Sequence, residues 1–294
     1  MKFSIVKRYK IFFAITITFL IIGFGSMLVK GFNLGIDFTG GSIMDLQFNK
    51  AVTVAEVRDV LKERDLGNAI IQLESNDSNA TRAKGVLIRT GVISDEQRQQ
   101  VMADLKSKLG NFDIQRVENV GATIGGELIQ QAVMAIVLSW VLMIAYITIR
   151  FEFKFAIAAI IALIIDVSVT LSYFSLFHME LDSSFVAALL TVVGYSVNGT
   201  IVIFDRIREN LKIHRRSESM TAMVDNSIWQ TMGRSVYTVG TSLFAVVAIF
   251  LWGGDTIRNF AFAMLVGFSS GAYTSTLLAG PLWMLLRGMK PGKD

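Results

Sequence analysis

The sequence predicts a polytopic α-helical membrane protein with one α+β head domain inserted between its first two spans. Three observations carry that prediction. The chain is 52% hydrophobic and 18% charged over 294 residues, too apolar for an ordinary soluble domain. Its apolar residues gather into six stretches, each long enough to cross a bilayer core that takes about 20 helical residues. Between the first and second of these lie roughly 100 residues of mixed polarity, a span length for neither helix nor linker. The sequence has no cysteine, which excludes disulfides, thiolate metal ligands and thiol chemistry.

The predicted spans are 11–29, 130–149, 155–177, 184–204, 234–252 and 259–286. The first follows Lys2, Lys7, Arg8 and Lys10 and so imitates a signal peptide. It is long for a signal core and no small-x-small cleavage site follows it cleanly, so it reads as a retained helix. Outside residues 30–129 there are 16 Lys and Arg, and all but Arg258 fall on one side of a six-span arrangement. The positive-inside rule then places both termini in the cytoplasm and residues 30–129 outside an inner, cytoplasmic membrane. Because the basic residues sit at the ends of apolar segments rather than on a soluble face, the net charge of +4 reports topology and not nucleic-acid binding. The domain plan is therefore 1–29, terminus and first span; 30–129, head; 130–294, five further spans.

Within the head, SIMDLQF (42–48) alternates as a half-buried strand, and TVAEVRDVLKERD (53–65) places Val54, Val57, Val60 and Leu61 at helical spacing. AIIQLE (69–74) and GVLIRT (85–90) read as strands around the turn-rich NDSNATRAK. SDEQRQQVMADLKSKLG (94–110) is a helix with Ser94 as N-cap and Gly110 as C-cap, and FDIQRVENV (112–120) is the last strand. The order βαββαβ is the split βαβ, ferredoxin-like arrangement, a fold that by itself assigns no function. Two glycine-rich words flank it. GIDFTGG comprises Gly35, Ile36, Asp37, Phe38, Thr39, Gly40 and Gly41, and VGATIGGEL carries Gly121, Gly125 and Glu127. The first lacks the Walker lysine and the GxGxxG spacing, so nucleotide binding is excluded. The pair reads as hinges joining head to membrane or, equally, as rigid connectors. Glu127, near an outer helix end, reads either as an interfacial acid or as a guard of an ion entrance.

The most informative segment is TVVGYSVNGTIVIFDRIREN (191–210). It starts as membrane-grade sequence and places Ser196, Asn198 and Thr200 at bilayer depth before ending in alternating charges. Polar groups in hydrocarbon are costly, so the cluster marks a helix interface or a transport path. Asp166, mid-way along the third span, must be paired, hydrated or protonated; Thr170 and Tyr173 share its helical face. It is either an ion-coupling site or a structural hydrogen-bonding acid. Arg234 opens the fifth span and either takes part in coupling or snorkels to the interface. Gly194, Gly267 and Gly271 are candidate helix-packing glycines. His178 and His214 stand alone, and no metal, cofactor or enzymatic constellation is expected.

GIDFTGG after a first span, IRFEFKFAIAAIIALIIDV (149–167), ALLTVVGYSVN (188–198), TIVIFDRIREN (200–210) and GGDTIRNFAFAMLVG (253–267) together resemble the SecD/SecF family of protein-export membrane subunits, of the resistance–nodulation–division superfamily, in its SecF half. The resemblance covers nearly the whole chain. It implies an accessory subunit of the Sec translocon that works with SecD and SecYEG, with YajC and YidC as further partners, on translocating unfolded polypeptide, driven by the proton or ion motive force. It also implies that Arg234 is a membrane-embedded arginine facing an acid of the fourth span. Here the chain departs from the family: where the family reads Asn-Asp-Thr, this sequence has Asn198, Gly199 and Thr200, and Ile165 replaces a histidine before Asp166. Conduction then runs through Asp166 and Arg234, or a partner supplies the acid, or the subunit is structural, or the glycine is itself an alteration. A half-transporter for small molecules or lipids and a non-conducting assembly subunit stay open beside the translocation reading.

Overall fold

A computed structural model describes residues 3–74, 81–213 and 219–291. Lys2, His214, Arg215, Arg216, Lys293 and most of the turn between the second and third head strands lie outside the described residues. The chain divides into two compact units, Leu34–Gln131 and the remainder on either side of it.

The first unit is an antiparallel four-stranded sheet with two helices. After a long helix, α1 (Tyr9–Lys30), a short strand, β1 (Asn33–Leu34), and a single helical turn, α2 (Ile36–Thr39), come β2 (Gly41–Val52), α3 (Val54–Lys62), β3 (Ile70–Glu74), β4 (Ala83–Thr90), α4 (Asp95–Leu109) and β5 (Phe112–Val120). The sheet order is β3-β4-β2-β5, with β2 central and antiparallel to both neighbours, the order that split βαβ units produce. Alternation along β2 sends Met44, Leu46 and Phe48 into a core completed by Val57, Leu61 and Leu105. Both helices start on reciprocal capping boxes, Thr53 with Glu56 and Ser94 with Gln97, and Gly110 ends α4 at φ 103°.

These caps make a prediction. The Thr53 backbone N–H, the Thr53 hydroxyl and Arg82 hold the Glu56 carboxyl below its ordinary range, and Arg64 does the same for Asp104. Both values are depressed by folding, so their contribution is complete above the ordinary carboxylate range near about 4 and is lost as pH falls through the depressed values. Hydrogen exchange across residues 54–62 of the full chain is expected to stay protected from neutral pH down to that range and to decline below it. Thr53→Ala should cost about 0.5–2 kcal/mol and remove much of that decline.

In the second unit the described residues form six helices long and apolar enough to cross a membrane. They are α1 (Tyr9–Lys30), α5 (Ala122–Arg150), α6 (Phe153–Leu176), α7 (Ser183–Ile213), α8 (Met220–Trp252) and a last span made of α9 (Asp255–Tyr273), a π-helical segment over Thr274–Ala279, and α10 (Gly280–Leu286). A short strand, β6 (Glu180–Leu181), lies between α6 and α7. Small residues set the close approaches. A Cβ on Gly23 of α1 would lie 2.0 Å from Ser172 of α6, and one on Gly267 of α9 would lie 2.2 Å from Val192 of α7. Near one end of the bundle Phe155 stacks on Trp283 at 4.7 Å and meets Phe204 at 4.8 Å. The amino-terminal turn is held by α8: Asp225 accepts from the Val6 backbone N–H at 2.9 Å and from the Ser4 hydroxyl.

Two expectations are corrected here. Arg234 does not open the fifth span, because α8 begins at Met220 and its first turns are polar but still helical. The sixth span lies where it was expected, over 257–286, and carries a π-helical segment within it. Pro281 has no N–H to return to the preceding turn, and the helix widens just before it. Gly194 packs against nothing among the described residues: it is exposed, and a Cβ there would meet open space.

Candidate functional site

Asp166 projects from α6 into the packed centre of the bundle and is completely buried. Three hydroxyls from two neighbouring spans converge on it. Ser196 Oγ of α7 donates to Oδ2 at 2.5 Å, Ser270 Oγ of α9 donates to Oδ1 at 2.6 Å, and Thr274 Oγ1 reaches Oδ1 at 2.9 Å and Oδ2 at 3.0 Å. All three donors are themselves buried. A buried acid is tolerable only with such partners, so this shell is what permits a carboxyl group at this depth. Thr274 opens the π-helical segment, and π-helical turns inside spans concentrate at functional sites. Of the two neighbours expected from its own helix, Thr170 bonds the Asp166 backbone carbonyl at 2.9 Å and not the carboxylate.

Gly271 brings α9 against Ser196, whose Cβ and Oγ would both lie 2.9 Å from an added Cβ, and so sets the distance across which Ser196 and Ser270 share Asp166. Ser196 also lines a cavity of about 50 Å³ together with Asn198, Gly199 and Arg234. Asn198 and Arg234 continue into a larger vestibule of about 540 Å³ bordered by Arg150, Asp205, Arg206 and Glu209. The charges there pair along α7, Arg208 with Asp205 and Arg206 with Glu209, each at 2.6 Å. Thr200 is buried, and its hydroxyl has no partner among the described residues. Ser196 thus touches both Asp166 and the small cavity that Gly199 and Arg234 line, while Arg234 and Asn198 are themselves exposed. A separate apolar groove of about 470 Å³ runs between α1, α6 and α9 and reaches Ser270 and Thr274 from the other side.

The flanking words of the head unit lie together. Gly35 caps α2, the Thr39 hydroxyl donates to the carbonyls of Gly35 and Gly40 at 3.1 Å each, and Gly40 and Gly41 take φ of 70° and 135°. A side chain at Gly41 would strike the Thr90 carbonyl at 2.4 Å. One at Gly125 would strike that of Phe38 at 2.6 Å, with Asp37 O at 3.2 Å. Gly121 accepts the first backbone bonds of α5, and Glu127 is exposed on that helix. The sequence reading missed Ser270 and Thr274 as partners of Asp166, although their i, i+4 spacing marks one helical face.

A model of the SecD/SecF protein-export membrane protein C-terminal region matches residues 100–289, and a model of the SecD/SecF GG motif matches residues 25–52. The chain belongs to the SecD/SecF family. A curated member from Acidaminococcus fermentans, protein translocase subunit SecF, is 67% identical over 97% of this chain and 98% of its own length. Another of that name, from Sebaldella termitidis, is 39% identical over 99% of this chain and 94% of its own. The crystal structure of SecDF, a translocon-associated membrane protein from Thermus thermophilus, superposes with a TM-score of 0.87 at 33% identity over 98% of this chain. This chain spans 39% of that SecDF chain. The family's GG motif corresponds to the stretch around Gly40 and Gly41, where both glycines have positive φ.

Proposed function

We propose that this multi-pass membrane protein is an accessory subunit of the Sec translocon that works beside a SecD-type partner and uses a transmembrane ion gradient to promote late polypeptide translocation. The observation that supports the gradient most is the Asp166 carboxyl, wholly buried yet held by three hydroxyls from two other helices. Loading and unloading that group changes the hydrogen bonds that tie α6 to α7 and to the π-helical turn of the last span. In this reading the change is passed to the outward head through residues 31–41 and 120–127, and substrate capture and release alternate with it. SecYEG, YajC and YidC are proposed as the surrounding assembly, with both termini cytoplasmic. Co-reconstitution with the partner and the translocon tests the proposal. Translocation of a preprotein into vesicles is expected to rise with an imposed gradient only when this subunit is present. A subunit that is required equally with the gradient collapsed removes the coupling role and leaves an assembly role.

The apolar groove between α1, α6 and α9 supports a second reading, export of a lipid or other apolar molecule, because such a substrate would need a lateral apolar entrance. Gradient-driven efflux of an apolar fluorophore from the same vesicles without preprotein would favour it.

A further inference from the structure

The apolar groove between α1, α6 and the last span has a shape that selects its occupant. Its floor is α6, from Ile165, beside Asp166 in the sequence, to Phe177 at the end of the helix. The stretch from 165 to 177 covers about 18 Å of helix, close to the roughly 15 Å of half a bilayer core. A volume of about 470 Å³ over about 18 Å leaves a cross-section on the order of 25 Å². A helix about 10 Å wide needs roughly 80 Å², so the helix of a partner does not enter, whereas a single polymethylene chain fits.

The width of the groove is fixed by contacts around it. α1 is pinned to α6 where Gly23 meets Ser172 and where the Ser26 and Ser175 hydroxyls bond at 3.0 Å. It is pinned to the last span where Tyr273 Oη donates to the Phe12 carbonyl at 2.9 Å. The lining hydroxyls are turned away from the space. Ser269 donates to the Leu265 carbonyl at 2.7 Å, Thr16 donates to the Phe12 carbonyl at 3.0 Å, and Ser270 and Thr274 spend theirs on Asp166. Water is held where polar groups lack partners, and these have them. Phe177, the residue that ends α6, is 65% exposed at the mouth, so a chain lying in the groove hangs from a group held at the end of the span.

We propose that this groove holds one acyl chain of a bilayer phospholipid as a resident ligand, packed behind Ser270 and Thr274 so that water is kept from that side of Asp166. The proposal needs neither gradient coupling nor export through the groove. Native mass spectrometry of the full chain, after exhaustive washing in detergent, is expected to show one phospholipid per protein. Val169→Trp and Ser269→Phe, which fill the groove from α6 and α9, should each lower the retained fraction at least fivefold. Leu138→Trp, on an exposed face of α5, should leave it unchanged. In vesicles, phosphatidylcholine carrying a diazirine midway along one chain should label the groove residues of the wild type at least fivefold more than Leu138 and Leu142. A wild type that retains no phospholipid, or a free fatty acid instead, overturns the proposal. So does a groove variant that keeps its phospholipid with the wild-type thermal transition, and so does even labelling of the groove and α5. Should both groove variants fail to fold, the labelling of the wild type decides alone. Neither measurement uses a gradient or a preprotein, so a negative result leaves the translocation reading standing.

Discussion

Asp166→Asn is expected to reduce gradient-stimulated translocation to the level measured with the gradient collapsed, without preventing assembly of the complex. Asparagine fills the same volume and can still accept from Ser196, Ser270 or Thr274, but it cannot load or release a proton. The structural reading of Asp166 makes the opposite forecast: the amide variant should keep the gradient response. Asp166→Leu separates the two further. It removes the acceptor of three buried hydroxyls, each worth about 1–3 kcal/mol if left unpaired. Because serine and threonine on helices can turn back to carbonyls of the preceding turn, the loss should lie at the low end of that range. A melting curve of the purified chain measures the structural cost, and vesicle translocation measures the functional one. A leucine variant that melts normally and still responds to the gradient would sink the coupling role of this residue.

Gly267→Val should produce a large structural effect in the membrane unit. The new Cβ would start 2.2 Å from Val192, so α9 must move away from α7. Overpacking of this kind costs about 1–3 kcal/mol, occasionally more. The displacement also carries Ser270 and Thr274 away from the helix that bears Ser196, so the shell of Asp166 opens. A lowered thermal transition accompanied by a weakened gradient response is expected. Gly25→Val is the matched control, since nothing lies within 4 Å of its added Cβ. Equal transitions for the two variants would show that the α7–α9 contact is not tight enough to position the site.

The head was legible because its signals are local. Ser94, Gln97 and Gly110 state the two ends of α4 in the sequence, and period-two alternation through Met44, Leu46 and Phe48 fixes which face of β2 is buried. The family words, GIDFTGG above all, were legible as long literal matches. The partners of Asp166 were not, because they come from residues 30, 104 and 108 positions away along the chain, whereas reasoning from one helix offers only Thr170 and Tyr173. The start of α8 was hidden for a related reason. Hydropathy finds the membrane-grade part of a helix, and Met220 to Gly233 is polar enough to look like a loop although it continues the same helix. Gly194 shows the converse: a glycine in a span is a packing residue only when another helix is near, and that is a tertiary fact.

The contact between Asp225 and the backbone of Val6 fixes an order of events during synthesis. The acid that holds the turn before the first membrane helix is made 219 residues after the group it holds. At roughly 5–20 residues per second, the ribosome needs on the order of 10–40 s to add that stretch. Throughout that interval the first helix has its apolar length but not its anchor, and the chain cannot take its final arrangement until α8 emerges. Truncations ending before residue 225 should therefore place the first helix in the bilayer yet leave its amino-terminal turn open to protease, and extension past that residue should close it.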